Sequence, residues 1–258
     1  MIKGITLIEA PIIEHIPVAV TSRSPISLFN LLFANFFKLK LMQNTHYLEL
    51  LFVHLIMSNK SHWERIYKEK SPQEVSWTEE IPDTSIDFFK DFTIQKDDPI
   101  IDVGGGESKF VDYLLDSGYK NISVLDISEN AINKAKERLG VKSQYIKWIV
   151  CDLNEFEPKE KYAIWHDRAV FHFLTSKVEI DRYVRKVKLN SQNFIVGTFS
   201  TLGPKKCSGL DITQYDESSL KKLFEDQDIS MKRTENINHI TPFETTQNFI
   251  FCSFSSIK

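Results

Sequence analysis

The stretch IIDVGGGESKFVDYLLDSGYKNISVLDIS, Ile100 to Ser128, decides the fold of this 258-residue chain. Two apolar runs, IIDV and ISVLDI, bracket a glycine cluster and a helical segment. Short runs rich in Ile, Val and Leu suit strands buried on both faces. The glycines supply the backbone freedom of a sharp turn between strand and helix. Each run carries an aspartate near its end, Asp102 and Asp126. Strand, turn, helix and strand in that order make a βαβ unit, whose parallel strands need a covering layer on each face.

Working outward, the alternation continues. Strands are expected at about 99–103, 121–126, 145–150, 161–166 and 193–199. Helices are expected at about 107–117, 129–138, 176–188 and 216–226, the second capped by Ser128 and closed by Gly140. Upstream, SHWERIYKEK (61–70) reads as a helix capped by Ser61 or Asn59, SPQEVSW as a loop, and DTSIDFFKDF (83–92) as a short helix with Ile86 and Phe89 on one face. Downstream, 229–235 and 247–254 read as two last strands joined by the loop NINHITPFETT. The expected fold class is α/β: a Rossmann-like three-layer sandwich with a mostly parallel seven-stranded sheet and an antiparallel strand in the terminal hairpin. In such sheets ligands bind at the carboxyl ends of the strands, where Asp102 and Asp126 fall.

Residues 1–56 differ from the rest. ISLFNLLFANFFKLKLM and YLELLFVHLIM are strongly apolar but are interrupted by Lys38, Lys40 and Glu49. Neither run reaches the roughly 18 residues of a membrane span, so no transmembrane span is expected. The segment reads as an extension outside the functional core, with Met57 opening a domain over 57–258, or as an amphipathic helical stretch resting on a surface. The formal net charge is -3 and no basic block stands out, which disfavours nucleic acid as a partner. Cys151, Cys207 and Cys252 are widely spaced, without a CxxC or a Cys/His cluster. That pattern points to free thiols in a reducing cytoplasm and to no metal site.

The turn itself reads DVGGGES, Asp102 to Ser108. A dinucleotide fingerprint, GxGxxG, would need glycine or alanine where Lys109 stands, and GxxxxGK[ST] of a phosphate loop is absent. Three further acids carry more information. Asp102 lies two residues before Gly104, giving D-x-G-x-G-x-S. Asp126 ends the second strand, where a carboxylate can accept from both hydroxyls of a ribose. Asp152, in IVCDL, follows the third strand, where it can accept from an adenine amino group.

In that order and spacing the chain resembles the class I S-adenosylmethionine-dependent methyltransferases over about residues 60–254. DVGGGES matches their first motif, VLDIS their second and CDL their acidic adenine-side motif. The resemblance implies S-adenosylmethionine as cofactor, held by Asp102, Gly104, Gly106, Ser108, Asp126, Ile127, Asp152 and Leu153. A cofactor without pyrophosphate also removes the need for a third glycine. Its carboxylate suits backbone N–H groups at a helix start, and its ammonium suits Asp102.

Methyl transfer is an in-line displacement that needs alignment and a dry pocket, and a base only where the acceptor arrives protonated. The stretch WHDRAVFHFL after the fourth strand offers Asp167 as the leading catalytic candidate, with His172 second, and His166 and Arg168 as acceptor contacts. The loop GTFSTLGPKKCSGLDITQYDESSL reads as a lid, with Lys206 and Tyr215 facing the substrate and Cys207 as a bystander. Tyr67 and Trp77, with Trp63, are expected to wall the site, and His239 to approach it from the hairpin loop. GPKKCSGL, HITPFETTQNF, HDRAVFHFL and HWERIYKEKSPQEVSW are similar to a largely bacterial group of methyltransferases with unassigned acceptors. No NPPY-type motif of nucleic-acid amino methyltransferases is present. The implied acceptor is a small molecule. The alternatives are a protein lysine, although HDRAVFHF replaces the DKGTxD-like segment of some lysine methyltransferases, a non-catalytic cofactor-binding protein, and an oxidoreductase using NAD.

Overall fold

The computed structural model describes residues 59–225 and 229–256. The apolar extension expected over 1–56 lies outside them. Helix α1 is described over 59–69 and already contains Asn59 and Ser61, so neither residue is its cap. Helix α2 (Asp83–Lys90) buries Ile86 and Phe89, the apolar face that the sequence pattern predicts, together with Ser85 and Phe88.

Strands β1 (Ile100–Val103), β2 (Ile122–Asp126) and β3 (Ile146–Val150) alternate with α3 (Phe110–Asp116) and α4 (Glu129–Leu139). Strands β4 (Tyr162–Arg168) and β5 (Ser191–Phe199) flank α5 (Lys177–Asn190). A small hairpin of β6 (Lys206–Cys207) and β7 (Leu210–Asp211) precedes α6 (Glu217–Glu225), and β8 (Ile229–Ile240) and β9 (Thr246–Ser256) close the chain. Every residue of β1 and β2 is buried, as their uninterrupted apolar runs require. The Ser128 hydroxyl accepts from the Ala131 N–H and caps α4, which ends at Gly140 with φ of 54°.

The main sheet has seven strands in the order β3-β2-β1-β4-β5-β9-β8. All neighbours are parallel through β5, and β9 runs antiparallel to both β5 and β8. One face packs α5 and α6 through Tyr183, Val187, Leu220 and Phe224. The other packs α2 and α3 through Phe88, Phe89, Phe110 and Leu114. The chain runs outward from β1 to β3 and returns to β4 on the other side of β1. The order therefore reverses between β1 and β4, where Asp102 pairs with His166 and Val103 with Asp167. Crevices at such reversals are where open α/β sheets bind ligands.

Three boundaries depart from expectation, each for a physical reason. Strand β4 continues through His166, Asp167 and Arg168. Polar residues can occupy a buried strand when each finds partners, and these do, as described below. Helix α3 begins at Phe110, later than residue 107, because Gly104 to Ser108 remain a turn and the Ser108 hydroxyl accepts from the Phe110 N–H (3.1 Å). Strand β8 extends to Ile240, so most of NINHI is strand and the connecting loop is short. Its polar side chains mask it in the sequence; its backbone is held by β9, with His239 opposite Gln247.

Candidate active site

A cleft of about 690 Å³ opens at the carboxyl ends of the strands. Its wall includes Asp102, Gly104 and Ser108 from β1 and its turn, Asp126 and Ile127 from the end of β2, and Asp152 and Leu153 after β3. Gly104 has φ of 70°, a conformation that favours glycine, and a Cβ there would stand 2.0 Å from the Val170 side chain. Gly106 does not line the cleft. Its N–H donates to Asp126 Oδ2 (3.0 Å), and the Ser128 N–H donates to Asp126 Oδ1 (2.8 Å). Burial raises the Asp126 carboxyl to about 6, aided by the nearby Asp102 and Glu64 charges and opposed by those two N–H donors. Asp152 Oδ1 accepts from the Asn154 N–H (2.8 Å), so this acid both fixes its own turn and faces the cleft.

Asp102 is fixed from behind. Its Oδ1 lies 2.7 Å from His166 Nδ1, while its Oδ2 is buried and has no hydrogen-bond partner. A Cβ at Gly105 would stand 2.2 Å from that second oxygen, so the turn can lie against the carboxylate only as bare backbone.

The cleft's cover comes from α1 and the segment after it. Trp63, Tyr67 and Trp77 form an aromatic group, with Trp63 ring centroids 5.8 Å from Trp77 and 5.2 Å from Phe173. Phe199 and Phe249, 4.5 Å apart, extend the wall. Two anchors hold this cover. Glu64 accepts from the Ser128 hydroxyl (2.9 Å) and from the Glu129 (2.8 Å) and Asn130 (3.0 Å) N–H groups, joining α1 to the start of α4. Arg168 donates to the Trp77 carbonyl (3.0 Å) and pairs with Glu79 (2.9 Å). His239 sets Nε2 2.6 Å from the Ser76 carbonyl and Nδ1 3.2 Å from Glu79. Burial pushes the Glu79 carboxyl up, but the His239 and Arg168 contacts outweigh it and hold the group below its ordinary value.

The acceptor-side expectations need correction. Asp167 is fully buried away from the cleft. Its Oδ1 accepts from the Val170 and Phe171 N–H groups (3.1 Å each) and its Oδ2 from the Tyr183 hydroxyl (2.6 Å), so it shapes the turn after β4 and does not line the cleft. His172 is fully buried beside Phe173 and Phe199, and neither ring nitrogen has a partner. Burial first, then the Arg168 charge, pushes it down to about 3, which removes it as a base near neutral pH. His166 lies beneath the cleft, bound to Asp102 and Ser85. Tyr215 is buried against Phe171, and Lys206 pairs with Asp211 (2.8 Å) within the β6–β7 hairpin; neither lines the cleft. Arg168 does line it, but as the clamp on Trp77 and Glu79. Cys207 also lines it, its thiol pushed by burial to about 11. His239 sits on β8, not in the loop.

Sequence reasoning missed Glu64, Glu79, Phe173, Phe199 and Phe249. Cues existed for them: Glu64 lies one residue beyond Trp63 on a helix already expected to cover the site, Phe173, Phe199 and Phe249 fall within stretches quoted above, and Glu79 lies two residues beyond Trp77.

The polar groups of the cleft suit a nucleoside bearing an ammonium. An unpartnered buried carboxylate oxygen calls for a cationic donor, Asp126 stands where a vicinal diol can donate, and the bare glycine turn packs against both. Residues 100–189 match the model of the methyltransferase-domain family. Over 158 residues the chain is 26% identical to malonyl-(acyl-carrier protein) O-methyltransferase 1 of Ilyobacter polytropus, covering 54% of this chain and 58% of that protein. The chain spans between 30% and 58% of the length of the curated relatives it matches. Among solved structures, an S-adenosylmethionine-dependent methyltransferase of Anabaena variabilis superposes with a TM-score of 0.61 at 12% identity, covering 78% of this chain and 95% of that one. The 1,6-didemethyltoxoflavin-N1-methyltransferase of Burkholderia thailandensis, solved with its acceptor and S-adenosylhomocysteine, superposes at 0.56 and 12% identity over 94% of both chains. The match over residues 100–189, the strand order and the three carboxylates at one cleft agree: the chain has the fold of the class I S-adenosylmethionine-dependent methyltransferases, and its residues 100–189 are similar to the methyltransferase-domain family.

Proposed function

We propose that this protein transfers a methyl group from S-adenosylmethionine to a small, largely apolar or aromatic acceptor. The reading rests above all on one observation: a single cleft joins three strand-tip carboxylates to an aromatic chamber. In it Asp126 accepts from the ribose hydroxyls, Asp152 from the adenine amino group, and Asp102 from the ammonium, while Tyr67, Trp77, Ile127 and Leu153 pack against the nucleoside. The bound cofactor supplies an electrophilic methyl group; the protein supplies alignment and exclusion of water. The named base candidates Asp167 and His172 stand away from the cleft, so neither takes a proton from the acceptor.

A flat acceptor fits a chamber walled by Trp63, Phe173, Phe199 and Phe249, because stacked and edge-on rings reward planar apolar surfaces. A small-molecule acceptor also accords with the activity of the 1,6-didemethyltoxoflavin-N1-methyltransferase that shares the fold. No helix among the described residues is long and apolar enough to cross a membrane. With the three cysteines free, we place the protein in the cytoplasm. We assign the activity to residues 57–258.

Incubating the protein with methyl-radiolabelled S-adenosylmethionine and cell extract tests the proposal. Label is expected in the low-molecular-mass fraction. Label confined to protein would transfer the assignment to a protein methyltransferase, and cofactor binding without label in either fraction would favour a non-catalytic binding protein.

A further inference from the structure

Ser85 on α2, His166 on β4 and Asp102 on β1 form a buried chain of hydrogen bonds. Ser85 Oγ lies 2.9 Å from His166 Nε2, and His166 Nδ1 lies 2.7 Å from Asp102 Oδ1. All three residues are 1% exposed. The order of groups is that of a hydrolytic triad, but the geometry excludes that chemistry. Ser85 and His166 do not line the cleft, so no scissile bond can reach the hydroxyl.

We infer that His166, backed by Ser85, is a positioning residue that turns Asp102 so that its second oxygen faces the cofactor's ammonium; this rests on reading the cleft as the S-adenosylmethionine site. Nδ1 faces a carboxylate oxygen and must therefore carry hydrogen. Nε2 meets the Ser85 hydroxyl, which can give or take a hydrogen there, so both ring nitrogens are held. The imidazole satisfies one oxygen of Asp102. The other oxygen stays buried and unpartnered. That vacant carboxylate acceptor suits an ammonium donor. The Phe110 ring, 4.3 Å from the imidazole centroid, limits its rotation. Because α2 contributes Ser85, the orientation of Asp102 is set across three elements and not by the glycine turn alone.

The test compares two ligands by calorimetry: S-adenosylhomocysteine, which has the ammonium, and 5′-methylthioadenosine, which lacks the whole amino-acid portion. His166→Leu is expected to weaken the first by at least tenfold and the second by less than twofold. His166→Asn, which keeps an N–H near the Nδ1 position, is expected to restore binding to within about threefold of the parent. Ser85→Ala is expected to weaken S-adenosylhomocysteine by about threefold and leave 5′-methylthioadenosine unchanged. In an Asp102→Asn background, His166→Leu should have no further effect on either ligand, since it acts through that carboxylate. Equal losses for both ligands, or additive losses in the double variant, would overturn the positioning role in favour of a merely structural one. Should His166→Leu fail to fold, His166→Asn and Ser85→Ala decide the matter by the same ligand comparison. A parent protein that binds neither ligand would instead overturn the cofactor reading itself.

Discussion

Two sets of side chains line the cleft: a polar set, Asp102, Asp126 and Asp152, each near or just past the tip of one of three neighbouring parallel strands, and an aromatic set, Trp63, Phe173, Phe199 and Phe249, drawn from two helical segments and two strands far apart in the chain. The polar set is held to fixed geometry by backbone N–H groups and a buried imidazole. The aromatic set is mostly rings, with Arg168 and Glu79 fastened behind them, while Asp167 and His172, near it in sequence, are turned into the core. On the function proposed above, the difference divides labour: the polar side chains recognise a charged nucleoside and the aromatic ones hold an apolar surface against it. The most sensitive tests ask whether side chains near the aromatic set govern stability while those of the polar set govern binding.

The largest effect is expected from Asp167→Ala. The change leaves the Tyr183 hydroxyl and the Val170 and Phe171 N–H groups without their acceptor inside the core. A loss of about 3 kcal/mol of unfolding free energy is expected, measured by denaturant titration. S-adenosylhomocysteine affinity at a temperature where the variant is folded should stay within about twofold of the parent. A normal midpoint with slowed turnover would return Asp167 to a catalytic role.

Next comes Asp126→Ala, expected to weaken S-adenosylhomocysteine by more than about tenfold, the 1.4 kcal/mol or more of a lost charge-assisted hydrogen bond. Unchanged affinity by calorimetry would remove Asp126 from the cofactor site. The same residue predicts a pH dependence. Its carboxyl is raised to about 6 in the free protein, above its ordinary 3.8. A raised acid binds its proton more tightly when folded, so its contribution to stability falls as pH rises from about 4 to 6. Asp167, also raised to about 6 by burial, adds to that fall. Cofactor binding should run the other way. If the ionised form accepts from the ribose, affinity rises about tenfold between pH 5 and 7, and Asp126→Asn flattens this rise. A flat profile in the parent would mean that Asp126 does not carry the ribose contact.

The same division explains what could be read in advance. Strands β1 and β2, their turn and the acid after β3 were legible because each is a compact local pattern: an apolar run, a glycine cluster, an acid at a fixed offset. The fold followed from their repetition. The acceptor side was misread because HDRAVFHF concentrates polar groups that look reactive in one dimension. Whether His166 points at a ligand or at Asp102 depends on pairing between β4 and β1, a contact across 64 residues. Phe199 and Phe249 looked like ordinary core residues, and most of each ring is core; only their position beside the cleft gives them a second role. Glu64 acts on the end of a helix 64 residues away, and no local spacing encodes that.

A milder effect should separate the two sets directly. Trp63→Ala removes the ring that touches both Trp77 and Phe173. It is expected to lower methyl transfer into the small-molecule fraction by about tenfold, given the stacking and area of one indole, while S-adenosylhomocysteine affinity changes by less than about threefold. Equal losses in both measurements would show that the aromatic cover serves the cofactor and would erase the distinction between the sets.

The smallest effect is expected from deleting residues 1–56. Each side chain named in the cleft and its anchors lies at or beyond residue 63, and α1 is fastened to α4 through Glu64 by acceptors on its own carboxylate. The aromatic cover is fastened a second time through Arg168 and Glu79, again within the same part of the chain. Neither fastening needs a group from the extension. The shortened protein should therefore bind S-adenosylhomocysteine within about twofold of the full chain, well under the tenfold that 1.4 kcal/mol represents, and keep its far-ultraviolet circular dichroism per residue of the α/β core. Loss of affinity without loss of fold would mean that the extension orders the cover, and the aromatic set would then depend on a part of the chain on which the carboxylate set does not.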